Sequence, residues 1–196
     1  MAETELELQT DAVETEVENE RRGMSLWAKL LAWGLVLGLL AVVAVQLVAT
    51  QQGNVGPGEP APNFTLTTFA GEEIGAAEMQ GKIIVLNFWA SWCKPCEQEA
   101  ADLQTAWEMY EPSGEVLFLG ADYVDTQIEA SKYLEKFSIT YPNGPDLGTR
   151  ISQAFRIRGV PETYFIDKEG NLAYVKIGPF TTLAEITDII DGLLDS

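Results

Sequence analysis

Phe88-Trp89-Ala90-Ser91-Trp92-Cys93-Lys94-Pro95-Cys96 places both cysteines of a 196-residue chain on one four-residue loop. Upstream, Ile83 to Trp89 is a nearly unbroken apolar, β-rich run, which predicts a central strand covered on both faces. Downstream, Ala100, Leu103, Trp107 and Tyr110 recur at intervals of three and four, which predicts a helix with one buried stripe, ended by Pro112, Ser113 and Gly114. Cys93 is thus expected exposed at a helix N-terminus, where unpaired N–H groups and the helix dipole favour its thiolate, the reactive form. Cys96 then sits close enough to attack a mixed disulfide formed at Cys93 and release the reduced partner.

Other uses of the sulfur pair are narrower. A structural disulfide closing so short a loop removes little chain entropy, on the order of 2 kcal/mol. Zinc ordinarily takes four Cys and His ligands, and this chain has two cysteines and no histidine. The missing histidine also excludes His-based triads, a Cys-His protease and haem attachment through Cys-x-x-Cys-His. No metal and no cofactor are expected. Trp89 reads as core, and Trp92, beside Cys93, as core or as lining of a substrate surface.

Working outward, Phe64 to Phe69 reads as an edge strand, with a short second strand near Ile74 after the turn at Gly71. Val116 to Ala121 is a second central strand, and Thr126 with Glu129 has the form of a capping box before a helix reaching Phe137, with Ile128, Leu134 and Phe137 inward. Tyr141 to Pro145 reads as a turn-rich connection, followed by a short helix carrying Leu147, Ile151 and Phe155 on one face. Glu162 to Asp167 and Leu172 to Ile177 flank Lys168-Glu169-Gly170 as a hairpin, and a last helix carries Leu183, Ile186, Ile190 and Leu193. Alternating strands and helices with a late hairpin predict an α/β fold, a mixed sheet with helices on both faces.

Composition divides the chain. Residues 1–20 carry eight acidic side chains and no basic ones, so residues 1–25 are expected to form a disordered, solvated tail. Arg21, Arg22 and Lys29 follow, then an apolar run from Leu30 to Ala49 broken only by Gln46. Twenty helical residues rise about 30 Å, enough to cross a bilayer, so 26–49 is expected to be a transmembrane anchor. The run is long for a signal peptide, Leu47 and Ala49 fit a cleavage site poorly, and a long tail precedes it. Positive charge before the span puts the tail in the cytoplasm and the main domain outside, across a linker at 50–60. The domain at 61–196 is long enough to bury about two-thirds of its unfolded surface. With 22 acidic against 9 basic residues from Gly56 onward, it repels nucleic acid and anionic membrane surfaces. An extracytoplasmic address also suits a disulfide.

Trp89-Ala90-Ser91-Trp92-Cys93-Lys94-Pro95-Cys96, with Gly159-Val160-Pro161-Glu162-Thr163 downstream, resembles the thioredoxin-fold proteins. Ala61-Pro62-Asn63-Phe64-Thr65-Leu66, Gly81-Lys82 and Leu86-Asn87-Phe88-Trp89-Ala90 resemble, more narrowly, the membrane-anchored TlpA, ResA and CcmG (DsbE) group of thiol-disulfide oxidoreductases. The resemblance runs from Gly58 to the C-terminus and implies a thioredoxin-like sheet, a cis Val160–Pro161 bond facing the cysteines, and a substrate groove formed by Trp92, Lys94, Pro95, Val160, Pro161 and Glu162. It implies a client protein with a disulfide, apocytochrome c in the CcmG branch, and re-reduction by a membrane thiol carrier. Asn87 stands where thioredoxin has a buried aspartate that handles the proton of the second cysteine, a role an amide cannot take. Glu99, three residues after Cys96, matches a glutamate of the ResA-like pattern and is the candidate base; it also reads as a solvated helix-face charge. Ala100 stands where many relatives have proline.

The catalytic set is then Cys93 as nucleophile, Cys96 as resolving thiol and Glu99 as proton acceptor. Lys94 and the helix N-terminus favour the Cys93 thiolate, while Glu97, Glu99 and Glu162 oppose it, which points to a reductase. A peroxiredoxin-like peroxidase shares the Ala-Pro-x-Phe opening, but Cys93 lacks the Thr-x-x pattern before it. A soft-metal binding module and a membrane-tethered redox sensor are the readings of other classes.

Overall fold

Seven consecutive buried residues, Ile83–Trp89, form the strand around which the globular unit is built. The structure, a computed structural model, describes residues 25–50 and 56–196. Most of the expected acidic tail and part of the expected linker lie outside the described residues. The chain divides into two compact units, Met1–Gln52 and Gly53–Ser196.

In the first unit, helix α1 spans Leu26–Thr50. Its stretch Leu26–Val45 has a mean hydropathy of 2.3 with none of it buried, and it is long and apolar enough to cross a bilayer.

In the second unit, β1 (Leu66–Thr67) and β2 (Glu73–Ile74) pair antiparallel as a two-stranded sheet of their own. The run from Phe64 therefore yields a two-residue strand where a longer edge strand is expected. A one-turn helix α2 (Ala76–Met79) leads into β3 (Ile83–Trp89), and α3 (Lys94–Tyr110) follows, closed by a 3-10 turn and Gly114 in the left-handed region. Then come β4 (Val116–Asp122), α4 (Gln127–Lys136), β5 (Asn143–Pro145), α5 (Arg150–Phe155), β6 (Glu162–Ile166), β7 (Leu172–Ile177) and α6 (Leu183–Leu194). The main sheet runs β5-β4-β3-β6-β7. β3 is parallel to β4 and antiparallel to β6, so the sheet is mixed as expected.

Side chains alternate across the central strands and separate two cores. Ile84, Leu86 and Phe88 face Ile151 and Phe155 of α5 and Tyr164 of β6. Ile83 and Val85 face Leu103, Ala106 and Trp107 of α3, with Phe165 of β6 and Ile186 and Ile190 of α6. Helices therefore cover both faces.

Three expectations are corrected. Tyr141 to Pro145 contains strand β5, parallel to β4; the short Asn-Gly-Pro sequence carries no strand periodicity, and pairing with Gly120 to Asp122 makes the strand. Ile128 is 68% exposed, because α4 turns Ala130 and Tyr133, with Leu134 and Phe137, toward the interior. Leu147 is 58% exposed, because Gly148 and Thr149 take left-handed backbone angles and break the helical phase before α5 begins. The capping box before α4 forms by half. Thr126 Oγ1 accepts the Glu129 N–H at 3.3 Å, whereas the N–H of Thr126 donates to Asp125 Oδ1 at 2.7 Å.

Candidate active site

β3 ends at Trp89 and delivers the cysteine loop directly to the N-terminus of α3. Cys93 is the N-cap: its backbone is extended, and its Sγ accepts the N–H of Cys96 at 3.2 Å. An N–H at a helix start pointed at sulfur stabilises negative charge there. Cys93 and Cys96 are joined as a disulfide with a Cα separation of 5.3 Å. Cys93 is 4% exposed and Cys96 is 1% exposed. The expectation of an exposed first sulfur is thus corrected for the oxidised state. Bonded to Cys96 and capping the helix, Cys93 turns inward among Trp89, Ala90 and Ala100, with Val160 packed against the same group.

The Val160–Pro161 peptide is cis. Val160 reaches the cysteine cluster, and Pro161 is buried, its carbonyl accepting the N–H of Gly178 at 3.0 Å. Trp92 is 58% exposed beside the cysteines. Its indole N–H donates to the carbonyl of Val124 at 3.1 Å. Pro95 is exposed, and Lys94 extends into solvent to pair with Glu97 at 3.0 Å. Glu97 is held by a second cation, Lys136, at 3.1 Å. Hydrogen bonds from Lys94 and then Lys136 hold the Glu97 carboxyl below its ordinary value. Its negative charge is therefore offset on the spot, and its opposition to a Cys93 thiolate is small.

Glu99 is 1% exposed, which removes the reading of it as a solvated helix-face charge. One turn after Cys96 on the inward side of α3, its Oε1 accepts Asn87 Nδ2 at 2.9 Å and its Oε2 accepts the N–H of Phe180 at 2.9 Å. Asn87 Nδ2 also donates to Thr163 Oγ1 at 2.9 Å. Asn87 and Thr163 are cross-strand partners on β3 and β6. A line of buried, partnered polar atoms therefore runs Thr163, Asn87, Glu99 on the α3 side of the sheet. Burial pushes the Glu99 carboxyl up to about 7, against the pull of the Phe180 and Asn87 hydrogen bonds and the charge of Lys176. A carboxyl near neutrality can accept and return a proton at working pH. A buried, titratable carboxyl on the helix thus lies within hydrogen-bond reach of position 87, with the asparagine donating to it.

Glu162 is not brought to the groove. It is 1% exposed, and its carboxylate accepts the N–H of Arg158 at 2.7 Å and the hydroxyl of Tyr164 at 2.9 Å. Strand alternation explains this: Glu162 shares the face of Tyr164 and Ile166, which pack with α5, and the next residue, Thr163, takes the face toward Asn87 and α3. Its opposition to a Cys93 thiolate falls away with it.

Sequence reasoning passed over Thr163 and the Phe180 amide. Thr163 stood inside the quoted Pro161-Glu162-Thr163 motif, one position from the residue chosen. The Phe180 N–H carried no sequence signal, since any residue there supplies one. Trp89 is locked as well: its indole N–H donates to Asn143 Oδ1 at 2.8 Å, and its ring stacks on Tyr133 at 4.5 Å. Gly120 lies under that bond, and a Cβ there would collide with Asn143 Oδ1.

A family model described as the AhpC/TSA family matches residues 57–175. A thiol-disulfide oxidoreductase ResA of Geobacillus kaustophilus is 31% identical over 150 residues, which is 75% of this chain and 86% of that protein. A ResA of Bacillus cereus is 34% identical over 125 residues, 63% of this chain and 71% of that protein. Among solved structures, a thiol:disulfide interchange protein of the thioredoxin family from Chlorobium tepidum is similar with a TM-score of 0.64 at 28% identity, covering 72% of this chain and 99% of that one. The MTB protein dsbF, in mixed oxidised and reduced forms, is similar with a TM-score of 0.62 at 26% identity, covering 69% and 98%.

Proposed function

The chain belongs to the AhpC/TSA family and is a thiol-disulfide oxidoreductase of the ResA type, and from that premise we propose that it reduces client disulfides outside the cytoplasmic membrane, apocytochrome c among them. The carrying observation is Glu99, buried one turn behind Cys96 with its carboxyl raised to about 7. The cycle conserves atoms and electrons. The Cys93 thiolate attacks one sulfur of the client disulfide, the client S–S bond breaks, and a Cys93–client disulfide forms as the other client sulfur leaves as thiolate. Glu99 takes the Cys96 proton, the Cys96 thiolate attacks Cys93, and the second client sulfur leaves. The client gains two electrons and takes up two protons, one returned by Glu99 and one from solvent, where ionisation of Cys93 had released it, and the enzyme is left with the Cys93–Cys96 bond.

The reducing direction follows from charge. A Glu99 carboxylate next to Cys96 disfavours a second anion there, and a dithiol with less stabilised thiolates is a weaker oxidant. Trp92, Lys94, Pro95, Val160 and Pro161 border the groove in which the client chain lies. The acidic segment 1–25 is a cytoplasmic tail, α1 within 26–49 is the membrane anchor, 50–60 is the linker, and 61–196 is the catalytic domain. A membrane thiol carrier returns the electrons. The charge asymmetry around α1 and the ResA-type relatives support this arrangement.

A Cys96→Ser variant tests the proposal, because it stops the cycle at the mixed disulfide. Isolated from intact cells, the trapped species is expected to contain a protein with a haem-attachment cysteine pair outside the membrane. Clients without such a pair, or a midpoint potential as high as that of a strong oxidant, about −120 mV, overturn it.

A further inference from the structure

Three hydrogen bonds tie the loop after β4 to the cysteine loop: the N–H of Tyr123 to the carbonyl of Trp89 at 2.8 Å, the N–H of Ser91 to Asp125 Oδ2 at 2.6 Å, and Trp92 Nε1 to the carbonyl of Val124 at 3.1 Å. Val124 adopts a φ of 47°, a left-handed angle that a β-branched residue takes only where its surroundings impose it. That strain sits at the residue whose carbonyl holds Trp92. Beneath this clamp lies Asp122, the last residue of β4 and the register partner of Trp89. Asp122 is 2% exposed, and its Oδ1 is buried without a hydrogen-bond partner. None of the chemistry above uses it. A buried carboxyl with an unpartnered oxygen is tolerable as the neutral acid and costly as an anion.

We propose that Asp122 is a positioning residue for disulfide exchange: as the neutral acid it lets Asp125 keep its grip on Ser91, and so holds Trp92 beside Cys93, and as an anion it repels Asp125 and opens the clamp. Burial first, then the charge of Asp125 and hydrogen bonding with it, raise the Asp122 carboxyl to about 8. The other charged groups nearby are engaged elsewhere. On α4, Glu129 pairs with Lys132, and Lys136 pairs with Glu97 of α3. Beyond β5, the Asp146 carboxylate accepts the N–H groups of Ile151 and Ser152. Tyr133 keeps its proton, its hydroxyl pushed up by burial and by Glu99 and Glu97. The proton lost from Asp122 goes to solvent, and no redox step is involved.

The full chain labelled with 5-fluorotryptophan, in detergent micelles and with the disulfide intact, gives the test, since no thiol titrates in that state. Comparison with Trp92→Phe assigns the Trp92 fluorine signal among the five tryptophans. The Trp92 signal is expected to shift with a midpoint near pH 8 in the wild type, to lose that shift in Asp122→Asn, and to keep it in Glu99→Gln. Asp125→Asn, which removes the charge that an Asp122 anion repels while keeping an acceptor oxygen for Ser91, is expected to shrink that shift to a small fraction. In the reduced enzyme, the KM for a disulfide client is expected to rise across the same pH interval in the wild type and not in Asp122→Asn. A Trp92 shift that persists in full in Asp122→Asn, or in Asp125→Asn, overturns the proposal, and the second of these stands even if Asp122→Asn does not fold. These readouts need no identified client, so their failure is separate from failure of the proposed client class.

Discussion

The two faces of β3 have the same strand geometry and different jobs. Toward α5, Ile84, Leu86 and Phe88 meet an aromatic group in which Phe155 stands 5.7 Å from Phe88 and 5.0 Å from Tyr164. Toward α3, the strand presents Ile83 and Val85, then Asn87 and Trp89, and the polar line to Glu99 begins. The first face carries stability, because apolar area removed from water is its main content. The second trades part of that area for polar groups, of which Glu99 can titrate, and every polar group along the line from Thr163 to Glu99 has a partner. A buried polar network is tolerable in that condition.

Substitutions on the two faces are therefore expected to separate stability from rate. The largest effect belongs to Phe155→Ala, which empties a fully buried ring site and is expected to destabilise by about 3–5 kcal/mol in denaturant unfolding, with the exchange rate per folded molecule little changed. A rate loss as large as the stability loss would erase the distinction between the faces. Next, Glu99→Gln is expected to slow resolution of the mixed disulfide by about 100-fold, roughly 2.7 kcal/mol of barrier, in single-turnover kinetics. A matching loss in the first attack by Cys93 would contradict the role given to Glu99.

The same acid has a signature in stability. The Glu99 carboxyl is raised in the folded protein from 4.5 to about 7. Its contribution to stability is complete below its unfolded value and is lost as pH rises through about 7. The difference in melting temperature between Glu99→Gln and the wild type is therefore expected to move in favour of the variant from pH 5 to pH 8. A pH-independent difference would mean that Glu99 does not titrate in this window. The smallest effect is Lys94→Ala: its ion pair with Glu97 is solvent-exposed, so the loss is expected to stay below about 1 kcal/mol. A larger change in stability would show the pair to be structural.

What could be read in advance had a strong local signal. The apolar run at Ile83 to Trp89, the stripe on α3 and the turn residues Lys168-Glu169-Gly170 of the hairpin are each local patterns that survive folding. Where the reading failed, the deciding feature was either a distant pairing or a local turn or alternation that no apolar period marks. β5 exists because β4 pairs with it, and Ile128 and Leu147 were misplaced because neighbouring turns set the helix phase. Glu162 was assigned to the groove from its motif neighbours, and strand alternation sends it to the other side.

The amino-acid order by itself determined that two sulfurs would lie one helical turn apart at the end of a buried strand, because spacing and periodicity are local properties of the chain. It also determined an apolar helix of bilayer length near the N-terminus, for the same reason. Only the tertiary structure decided that Glu99 would be buried against Asn87 and Phe180 and that Asp122 would lie beneath the Ser91 clamp. The state of a carboxyl depends on which distant atoms desolvate and bond it, and those atoms are gathered only when the sheet has closed.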